Sequence, residues 1–426
     1  MLLCVLMRRL LVAVLAIASM AAGAAPASAY DAADLRSTLA REMRQASSAS
    51  SVYVRDLDSG GELYALRPNA ARVPASVEKL YTTATTLLRR GPNATLDTRV
   101  VSDGEVDDEG VLRGNLVLVG GGDPFFGTTS GARLALAVKS AGITRVAGTV
   151  VGDESAFDRL RSTCCSGYDS DLGGVLSALA YDRGFFGGRL QLDAGRAAAV
   201  RFAEQLRAAG VRTAGRPQAG VAPQAAGEIA SVTSMPVREL IRFVNVPSNN
   251  FAAEMLLKGL GARYGTAGSI RAGAAVVRDT LADIALRPSI ADGSGLSRSN
   301  RTTPRAVVSL LERMDRPDVG AAFRSSLALA GVTGTVKSRM RGTAAHKRCR
   351  VKTGTLRNVT ALAGYCRTAG GRNIAFAVLM NRVSNFTGGR AIQDRIAAAI
   401  ARLDGVPAKA PADSRPAPSG GAGAPS

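Results

Sequence analysis

The stretch Pro74-Ala75-Ser76-Val77-Glu78-Lys79 places a serine three residues before a lysine at the predicted start of a helix. Pro74 suits a first helical position, where its missing N–H is not needed, and the run 77–90 holds no glycine or proline. Residues three apart share a helix face, so Lys79 can reach the Ser76 hydroxyl. A serine hydroxyl becomes a nucleophile when a base takes its proton, and a desolvated lysine can be that base. The stretch therefore offers Ser76 as a candidate nucleophile and Lys79 as its base; a solvated helix face is the alternative for this match alone.

Two later stretches carry groups that complement this pair. Ser248-Asn249-Asn250 lies between two predicted helices, where a loop can push a serine and an asparagine into a cleft. Lys352-Thr353-Gly354-Thr355 lies in a strand predicted over 348–355. The ordered set Ser-x-x-Lys, Ser-x-Asn and Lys-Thr-Gly is the signature of penicillin-binding proteins and class A β-lactamases. The sequence thus resembles these acyl-transferring enzymes.

Length and composition describe a globular protein with a sizeable core. The chain has 426 residues, of which 46% are apolar and 21% are charged, and this length allows two or more domains. Lysine and arginine outnumber aspartate and glutamate by 54 to 34, which gives a net charge of +20. A basic surface suits nucleic acid, a membrane or an anionic polymer. The cellular location of the protein decides among these partners.

The N-terminus has the pattern of a secretory signal peptide. Arg8 and Arg9 precede an apolar run over 10–22, and Ala27-Ser28-Ala29 fits a cleavage site. The run is shorter than the roughly 20 residues of a membrane span, and an uncleaved anchor is the alternative. We predict a signal peptide at 1–29 and an exported protein, periplasmic or extracellular and associated with the cell wall, without a transmembrane anchor after cleavage. Nucleic acid is then excluded as a partner, and anionic wall polymers become candidates.

Motifs for metal or cofactor chemistry are missing from the sequence. His346 is the single histidine, so a site with several histidine ligands is excluded, although a Ser-His-Asp triad is not. The sequence has no His-Glu-x-x-His and no paired Cys-x-x-Cys. Ser294 stands between glycines, but it lacks the spacing and the flanking strand and helix of a nucleophile elbow. No metal and no cofactor is predicted.

Four cysteines lie beyond the predicted cleavage site, and an even number in an exported chain suggests disulfides. Cys349 and Cys366 flank a predicted hairpin centred near 357–358, so they would face each other across two strands. Facing positions at a non-hydrogen-bonded pair have Cα atoms about 4.5–5.5 Å apart, within disulfide range. We therefore predict a Cys349–Cys366 disulfide. The adjacent Cys164 and Cys165 could bond each other, bond other chains or stay free.

The order of the predicted elements indicates one domain interrupted by an insertion. Apolar alternation predicts five strands, at 51–56, 62–66, 348–355, 360–366 and 374–380. Helical periodicity is found at 30–50, 77–90, 236–286 and 389–403. Between them, residues 96–230 have their own strand-like and helix-like runs and are predicted to be one or two inserted accessory domains. The main domain is then 30–95 and 231–405, followed by a disordered Pro/Ala/Gly-rich tail at 406–426.

Longer phrases extend the resemblance. Over most of residues 45–400 the chain resembles the D-alanyl-D-alanine carboxypeptidase/endopeptidases of the low-molecular-mass class C penicillin-binding proteins. The phrases that carry it are Pro-Ala-Ser-Val-Glu-Lys-Leu-Tyr-Thr from Pro74, Asp-Gly-Ser-Gly-Leu-Ser-Arg from Asp292 and Lys-Thr-Gly-Thr-Leu from Lys352, together with the long insertion. The resemblance implies an α/β (α+β) penicillin-binding-protein/β-lactamase-like transpeptidase fold. Its five-stranded, mainly antiparallel sheet would be flanked by helices and carry a large inserted region.

The resemblance also implies catalytic roles. Ser76 would be the acylated nucleophile and Lys79 its base. Ser248 and Asn250 would relay a proton to the leaving D-alanine and hold the substrate backbone.

Substrate-binding roles follow in the same way. In the Lys352–Thr355 segment, Lys352 would supply positive potential, Thr353 and Thr355 would bind the terminal carboxylate, and Gly354 would belong to the same binding strand. The backbone N–H groups of Ser76 and Thr355 would form the oxyanion hole. Arg298 would contact a side-chain carboxylate of the substrate.

The function implied is that of a serine-type D-Ala-D-Ala carboxypeptidase acting on peptidoglycan stem peptides and acylated by β-lactam antibiotics. An endopeptidase that cuts D-alanine-linked cross-bridges uses the same chemistry, so the sequence does not separate the two. A β-lactamase or esterase on the same fold is one alternative, although no glutamate stands in the Glu-x-x-x-Asn context of class A β-lactamases. A wall-binding protein without catalysis is the other. The sequence leaves open the preferred stem peptide and the oligomeric state.

Overall fold

The computed structural model describes residues 30–163 and 169–405. The predicted signal peptide, the adjacent Cys164 and Cys165, and the predicted tail at 406–426 lie outside the described residues. Within the described residues, no helix has the length and apolar character needed to cross a membrane.

The helices occupy most of the positions where helical periodicity was found. In chain order they are α1 (Ala32–Arg44), α2 (Lys79–Arg90), α3 (Thr128–Ser140), α4 (Ala194–Ala208), α5 (Val237–Asn245), α6 (Asn250–Tyr264), α7 (Ile270–Asp283), α8 (Pro304–Arg313), α9 (Gly320–Ser325) and α10 (Phe386–Arg402). Short 3-10 helices precede α2, follow the loop after β7 and follow β13, at Ala75–Glu78, Tyr181–Gly184 and Gly334–Val336.

The strands fall into two larger sheets and two small ones. In chain order they are β1 (Ser50–Asp56), β2 (Glu62–Leu66), β3 (Asp97–Ser102), β4 (Val111–Leu112), β5 (Leu116–Val119), β6 (Arg145–Val146), β7 (Val150–Asp153), β8 (Phe185–Phe186), β9 (Arg189–Leu190), β10 (Arg212–Thr213), β11 (Gln218–Ala219), β12 (Gly227–Thr233), β13 (Ala328–Leu329), β14 (Cys349–Leu356), β15 (Val359–Arg367) and β16 (Asn373–Asn381).

The main sheet has the order β13-β14-β15-β16-β1-β2, and every neighbouring pair in it is antiparallel. The five predicted strands are all present. Strand β13 adds a sixth at the edge, where Ala328 and Leu329 pair with β14. Two residues are too few to show an alternating pattern, which is why the sequence did not reveal this strand.

Helices cover both faces of the main sheet. Residues such as Leu39, Phe376 and Ile396 form one core between the sheet, α1 and α10. Residues such as Leu80, Leu257 and Leu379 form a second core between the opposite face and the helices α2 and α5 to α8. Alternate side chains of the strands thus point into two separate cores. Residues before β3 and residues after β12 contribute to both cores.

The start of the Ser76 helix differs from the prediction. The sequence suggested a continuous helix with Pro74 at its first position, but Ala75–Glu78 is a 3-10 turn and the α-helix begins only at Lys79. Ala75 has φ +48°, in the left-handed region, so the chain turns sharply just before Ser76. The tighter turn leaves Ser76 at the mouth of the helix and half-buried, while Lys79 is fully buried.

The hairpin of β14 and β15 brings the two predicted cysteines together. Cys349 pairs with Cys366 and the two are joined by a disulfide, with their Cα atoms 4.0 Å apart. The turn is the two residues Arg357 and Asn358, between the pair Leu356 and Val359. Asn358 has φ +61°, a conformation that asparagine adopts more readily than most residues.

The inserted segment builds a second sheet with its own core. This sheet has the order β11-β7-β5-β3-β12, and residues such as Leu118, Leu134 and Phe202 fill the space between it and α3 and α4. Its last strand, β12, pairs with β3 as far as Thr233 opposite Asp97. The two strands β6 and β7 are separated by only three residues and belong to different sheets.

Candidate active site

The Lys79 ammonium is the centre of a buried polar cluster. Its Nζ lies 3.0 Å from Ser76 Oγ and 2.6 Å from Asn250 Oδ1, and it donates to the Ser294 carbonyl at 2.5 Å. Lys79 is wholly buried, whereas Ser76 is half-buried and accessible from the cleft. A serine hydroxyl at hydrogen-bond distance from a desolvated amine has the geometry of a nucleophile with its general base.

Burial changes the acid–base character of this lysine. It lowers the pKa of Lys79 to about 8, and the nearby carboxylates Asp292, Glu254 and Glu78 oppose the shift. With a pKa of about 8 roughly 10% of the amine is neutral at pH 7, compared with about 0.03% at the usual 10.5. The cluster therefore makes Lys79 a usable base near neutral pH.

The Ser248–Asn250 loop forms the second wall of the cleft. Ser248 lies between α5 and α6 with φ +63°, and this left-handed turn lifts its side chain out of the helical path. Asn249 caps α6, because its Oδ1 accepts the Ala252 N–H at 3.0 Å. Asn250, at the first helical position, contacts Lys79 through Oδ1 and donates through Nδ2 to the Asp171 carbonyl at 2.6 Å. The asparagine is thus held in one orientation from both sides.

Lys352 enters the cleft from β14. It is wholly buried, and its Nζ donates to Ser248 Oγ and to the Thr353 carbonyl, each at 2.8 Å. Burial, with a smaller contribution from the positive charge of Lys79, holds the pKa of Lys352 well below its usual range. Two lysines therefore face two serines in one cleft, with one lysine on each serine.

The rest of the Lys-Thr-Gly-Thr segment lines the same cleft. Thr353 Oγ1 donates to Thr335 Oγ1 at 2.8 Å, and Arg390 donates to Thr355 Oγ1 at 3.3 Å. Gly354 passes so close to the turn before Ser76 that an added Cβ would lie 2.6 Å from the Pro74 carbonyl oxygen. Only glycine lets β14 approach Ser76 this closely.

Arg298 lies apart from the cluster around Lys79. Its side chain is exposed and donates to the Arg357 carbonyl at 2.8 Å, at the tip of the β14–β15 hairpin. It lines a cavity of about 460 Å³ together with Arg72 and Arg382. The structure thus brings Ser76, Lys79, Ser248, Asn250 and the segment 352–355 together, and it places Arg298 against the tip of the β14–β15 hairpin instead.

Three contacts of the cleft were not predicted. The sequence marks Ser294 only as a serine between glycines, but in the structure its backbone carbonyl accepts from Lys79. Thr335, in the 3-10 helix Gly334–Val336, and the Asp171 carbonyl belong to no sequence motif. Glu254, behind Lys79, had a signal in the sequence: it stands four residues after Asn250 and so on the same helix face, within an otherwise apolar run.

Metal binding has no support in the part of the chain that the structure describes. Residues 30–163 and 169–405 contain no cluster of three or more histidine, cysteine, aspartate or glutamate side chains that could hold a metal ion.

Comparison with known proteins gives one family. The sequence model described as "D-Ala-D-Ala carboxypeptidase 3 (S13) family" matches residues 32–174 and 188–403. The D-alanyl-D-alanine carboxypeptidase of Actinomadura sp. (strain R39) is 30% identical over an alignment of 477 residues including gaps, and the alignment spans 90% of this chain and 88% of that protein.

Solved structures show a similar fold. Penicillin binding protein 4 of Haemophilus influenzae superposes with a TM-score of 0.72 at 21% identity, over 84% of this chain and 97% of that one. A penicillin G-acylated predatory endopeptidase of Bdellovibrio bacteriovorus superposes with a TM-score of 0.54 at 19% identity, over 84% and 94% of the two chains. The expected penicillin-binding-protein/β-lactamase-like fold is confirmed.

Proposed function

The chain belongs to the D-Ala-D-Ala carboxypeptidase 3 (S13) family, and we propose that it cleaves D-Ala-D-Ala bonds of peptidoglycan stem peptides through an acyl-enzyme on Ser76. The observation that carries the proposal is the buried Lys79 Nζ, which lies 3.0 Å from Ser76 Oγ and has a pKa of about 8. The family supplies the activity, a serine-type carboxypeptidase. The assignment of the residues rests on the geometry of this cleft.

In the proposed acylation, Ser76 Oγ attacks the carbonyl carbon of the penultimate D-alanine while its proton passes to neutral Lys79. The C–O bond forms, the peptide C–N bond breaks, and a proton must reach the leaving nitrogen. Lys352 donates to Ser248 Oγ at 2.8 Å, so the Ser248 hydroxyl proton is free to point toward that nitrogen. Asn250, fixed by Lys79 and Asp171, would hold the substrate backbone. Water then releases the acyl group and returns Ser76.

The other end of the cleft would bind the terminal carboxylate of the substrate. Lys352 supplies a cation when its amine is protonated, and the hydroxyls of Thr353 and Thr355 are donors on the same strand. The backbone N–H groups of Ser76 and Thr355 would receive the oxyanion, and Gly354 allows the two chain segments to approach. A carboxylate-ended peptide thus finds a nucleophile, a base, an oxyanion site and a cationic anchor.

A β-lactam would enter the same cleft as an acylating inhibitor. The support is that a neighbour of the same fold is described as acylated by penicillin G, and that the cleft of this chain presents a serine with a lysine at hydrogen-bond distance. We also propose endopeptidase activity on cross-bridges, because bond cleavage beside a D-alanine carbonyl needs the same groups.

The activity is tested with the whole exported protein and two substrates. We expect release of D-alanine from a peptide ending in D-Ala-D-Ala, and one long-lived benzylpenicillin adduct in the intact-protein mass spectrum. Rapid turnover of benzylpenicillin without D-alanine release would instead identify a β-lactamase. Absence of turnover on every D-Ala-D-Ala substrate, with tight binding to walls retained, would identify a wall-binding protein.

We propose that the protein is exported and works at the cell wall, and that 96–230 is an accessory domain rather than part of the catalytic one. The export proposal rests on the signal-peptide pattern at 1–29. The domain proposal rests on the separate core of the inserted sheet. The insertion still reaches the cleft, since the Asp171 carbonyl accepts from Asn250.

Anionic wall polymers are proposed as partners of a basic groove at the start of β14 and the end of β15. The groove is a cavity of about 600 Å³ whose lining includes Lys347, Arg348, Arg350 and Arg367. None of these four side chains forms a salt bridge with another residue of the described chain. Unneutralised cations that share a concave surface focus positive potential and favour a polyanion. None of the four belongs to the cleft around Lys79 and Lys352.

A charge-neutralising variant tests this groove. The four groove cations are changed to glutamine, and a matched variant changes four exposed arginines of the insertion, Arg133, Arg145, Arg207 and Arg212. On an immobilised glycerol-phosphate polymer, we expect the groove variant to elute at clearly lower salt than the matched variant, with benzylpenicillin acylation unchanged in both. Equal elution of the two variants would show that net charge, and not the groove, retains the protein.

A further inference from the structure

Three buried carboxyl groups lie close enough to Lys79 for their negative charge to raise its pKa. Glu78 precedes Lys79 in the chain, Glu254 comes from α6 and Asp292 comes from the loop that follows α7. At most 1% of the surface of each residue is exposed. Buried carboxyls next to a buried lysine are costly to keep, so their contacts show what each one does.

Asp292 and Glu254 hold the same loop in different ways. Asp292 accepts the N–H groups of Gly295 and Ser297, at 2.8 and 2.6 Å, and so folds the loop on itself. Glu254 instead connects the loop to α6: its Oε1 accepts the N–H of Gly293 at 2.9 Å and the N–H of Ser294 at 2.7 Å. Glu254 is therefore the carboxyl that fixes where the loop stands relative to the catalytic helices.

The loop that Glu254 holds also contacts Lys79. The Ser294 residue that donates its N–H to Glu254 also presents its carbonyl to Lys79 Nζ, at 2.5 Å. Asn250, which contacts Lys79 from another direction, lies one helical turn before Glu254 on α6. Asn250 thus links α6 to the Lys79 ammonium directly, and Glu254 links α6 to the same ammonium through the Ser294 peptide.

We propose that Glu254 is a positioning residue for acylation: its carboxyl holds the Gly293–Ser294 backbone so that the Ser294 carbonyl fixes the Lys79 amine beside Ser76. The inference rests on the proposed role of Lys79 as the base. It assigns to Glu254 no contact with the substrate. A shift of the Ser294 carbonyl would let Lys79 move away from Ser76 Oγ, and misplacement by about 1 Å can slow such a reaction about 100-fold.

The second oxygen of Glu254 adds an electrostatic role. Within the described residues, Glu254 Oε2 and both carboxyl oxygens of Glu78 have no hydrogen-bond partner. Burial, together with the negative charge of Asp292, raises the pKa of Glu254, and burial raises that of Glu78. When ionised, Glu254 favours the charged form of Lys79 and so raises its pKa. The other charged groups that act on Lys79 or Glu254 are Glu78 next to Lys79, Asp292 on the loop, Lys352 on β14 and Lys258 on α6.

Three substitutions separate the positioning role from the charge. Glu254→Gln keeps an oxygen that can accept both N–H groups but removes the negative charge. Glu254→Asp keeps the charge but withdraws the carboxyl by about 1.5 Å. Glu254→Ala removes both. Benzylpenicillin acylation is followed from pH 6 to 10, which gives a plateau rate at high pH and the pH of its half-maximal value.

We expect the Gln variant to keep the plateau within about threefold of the wild-type rate. Its half-maximal point should move to lower pH, because removal of a nearby negative charge lowers the pKa of Lys79. The Asp and Ala variants should lose about 10- to 100-fold of the plateau, since the loop no longer fixes the lysine. Of these two variants, only Glu254→Ala should also move the half-maximal point to lower pH, because Glu254→Asp keeps the negative charge.

Thr82→Val is the matched control. Thr82 on α2 anchors the same loop by donating to the Gly293 carbonyl at 3.0 Å, but it has no charge and does not hold Ser294. We expect a rate and a pH profile close to those of the wild type. Melting temperatures of all variants show whether each is folded.

Two results would overturn the proposal. One is a folded Glu254→Ala protein with the wild-type plateau and pH profile, which would leave Glu254 only a role in stability. The other is a Gln variant whose plateau is as low as that of Ala, since the amide oxygen should replace the carboxyl as an acceptor. Failure of the proposed function is distinct from both: it would appear as an adduct that forms on a Ser76→Ala protein.

Discussion

Replacement of Ser76 by alanine is expected to abolish the benzylpenicillin adduct and the release of D-alanine. Replacement of Lys79 by alanine is expected to slow acylation by about 10²- to 10⁴-fold. The reason for the first is that no other hydroxyl in the cleft contacts the Lys79 amine: Ser76 Oγ lies 3.0 Å from it, whereas Ser248 is bonded to Lys352. The reason for the second is that Ser76 would lose its base but keep its place on the 3-10 turn. Intact-protein mass spectrometry with peptide mapping measures both.

The pH dependence of acylation provides an independent check on Lys79. Burial lowers the pKa of Lys79 to about 8, and the base acts when it is neutral, so the acylation rate should rise with pH and level off above about pH 9. Thr83→Val is a matched control one helical turn away, because Thr83 donates to the Lys79 carbonyl but does not touch the ammonium. An adduct on the Ser76→Ala protein, or full activity of a folded Lys79→Ala protein, would contradict the mechanism.

The parts of the fold that follow from the sequence are those with a strong local pattern. The alternating strands at both ends of the main domain gave the five long strands, and the turn at 357–358 fixed which residues of β14 and β15 face each other. The hairpin register therefore placed Cys349 opposite Cys366. Local patterns could not give β13, whose two residues gain their strand geometry only from β14.

The cleft could be predicted as a set of residues but not as a geometry. The three motifs named Ser76, Ser248 and Lys352, yet the left-handed residues Ala75 and Ser248 that aim them are not typical turn residues and gave no signal. Conformations of this kind are imposed by tertiary packing, here by the close passage of Gly354 beside Pro74.

Backbone contributions were hidden for a related reason. A carbonyl such as that of Ser294 has the same chemistry at every position of the chain, so its role depends only on where the loop is held. Glu254 offered a cue, because a carboxyl in an apolar helix must meet a partner when it is buried. What it meets, the loop behind Lys79, is separated from it by about 40 positions in sequence and is brought near only by the fold.

Replacement of Lys352 by glutamine is the second change expected to have a large effect. Lys352 is buried and donates to Ser248 Oγ and to the Thr353 carbonyl. Glutamine would therefore remove the positive charge from a buried site and change the geometry of the hydrogen-bond donor. Loss of one partner from a buried charged contact typically costs about 2–5 kcal/mol, which corresponds to roughly 30- to 5,000-fold. We expect kcat/KM on a D-Ala-D-Ala peptide to fall within that range.

Lys352→Arg separates charge from shape at the same position. Arginine keeps a positive charge, but its broad planar group cannot reproduce a compact ammonium that bonds Ser248 and Thr353 at 2.8 Å each. If the cation mainly attracts the substrate carboxylate, the Arg protein should retain part of the activity that Gln loses. If fixed donor geometry dominates, Arg and Gln should be about equally poor.

The matched control is Lys347→Gln, which removes an exposed cation just before β14 and should leave kcat/KM unchanged. The control matters because the chain carries a net charge of +20, and any lost cation weakens attraction of an anionic substrate slightly. The protonation state of Lys352 also depends on its surroundings. Burial holds the pKa of Lys352 well below its usual range, so the lysine gains its proton most readily when a carboxylate lies beside it. Equal activity of the Lys, Arg and Gln proteins, each folded by circular dichroism, would remove β14 from the substrate-binding site.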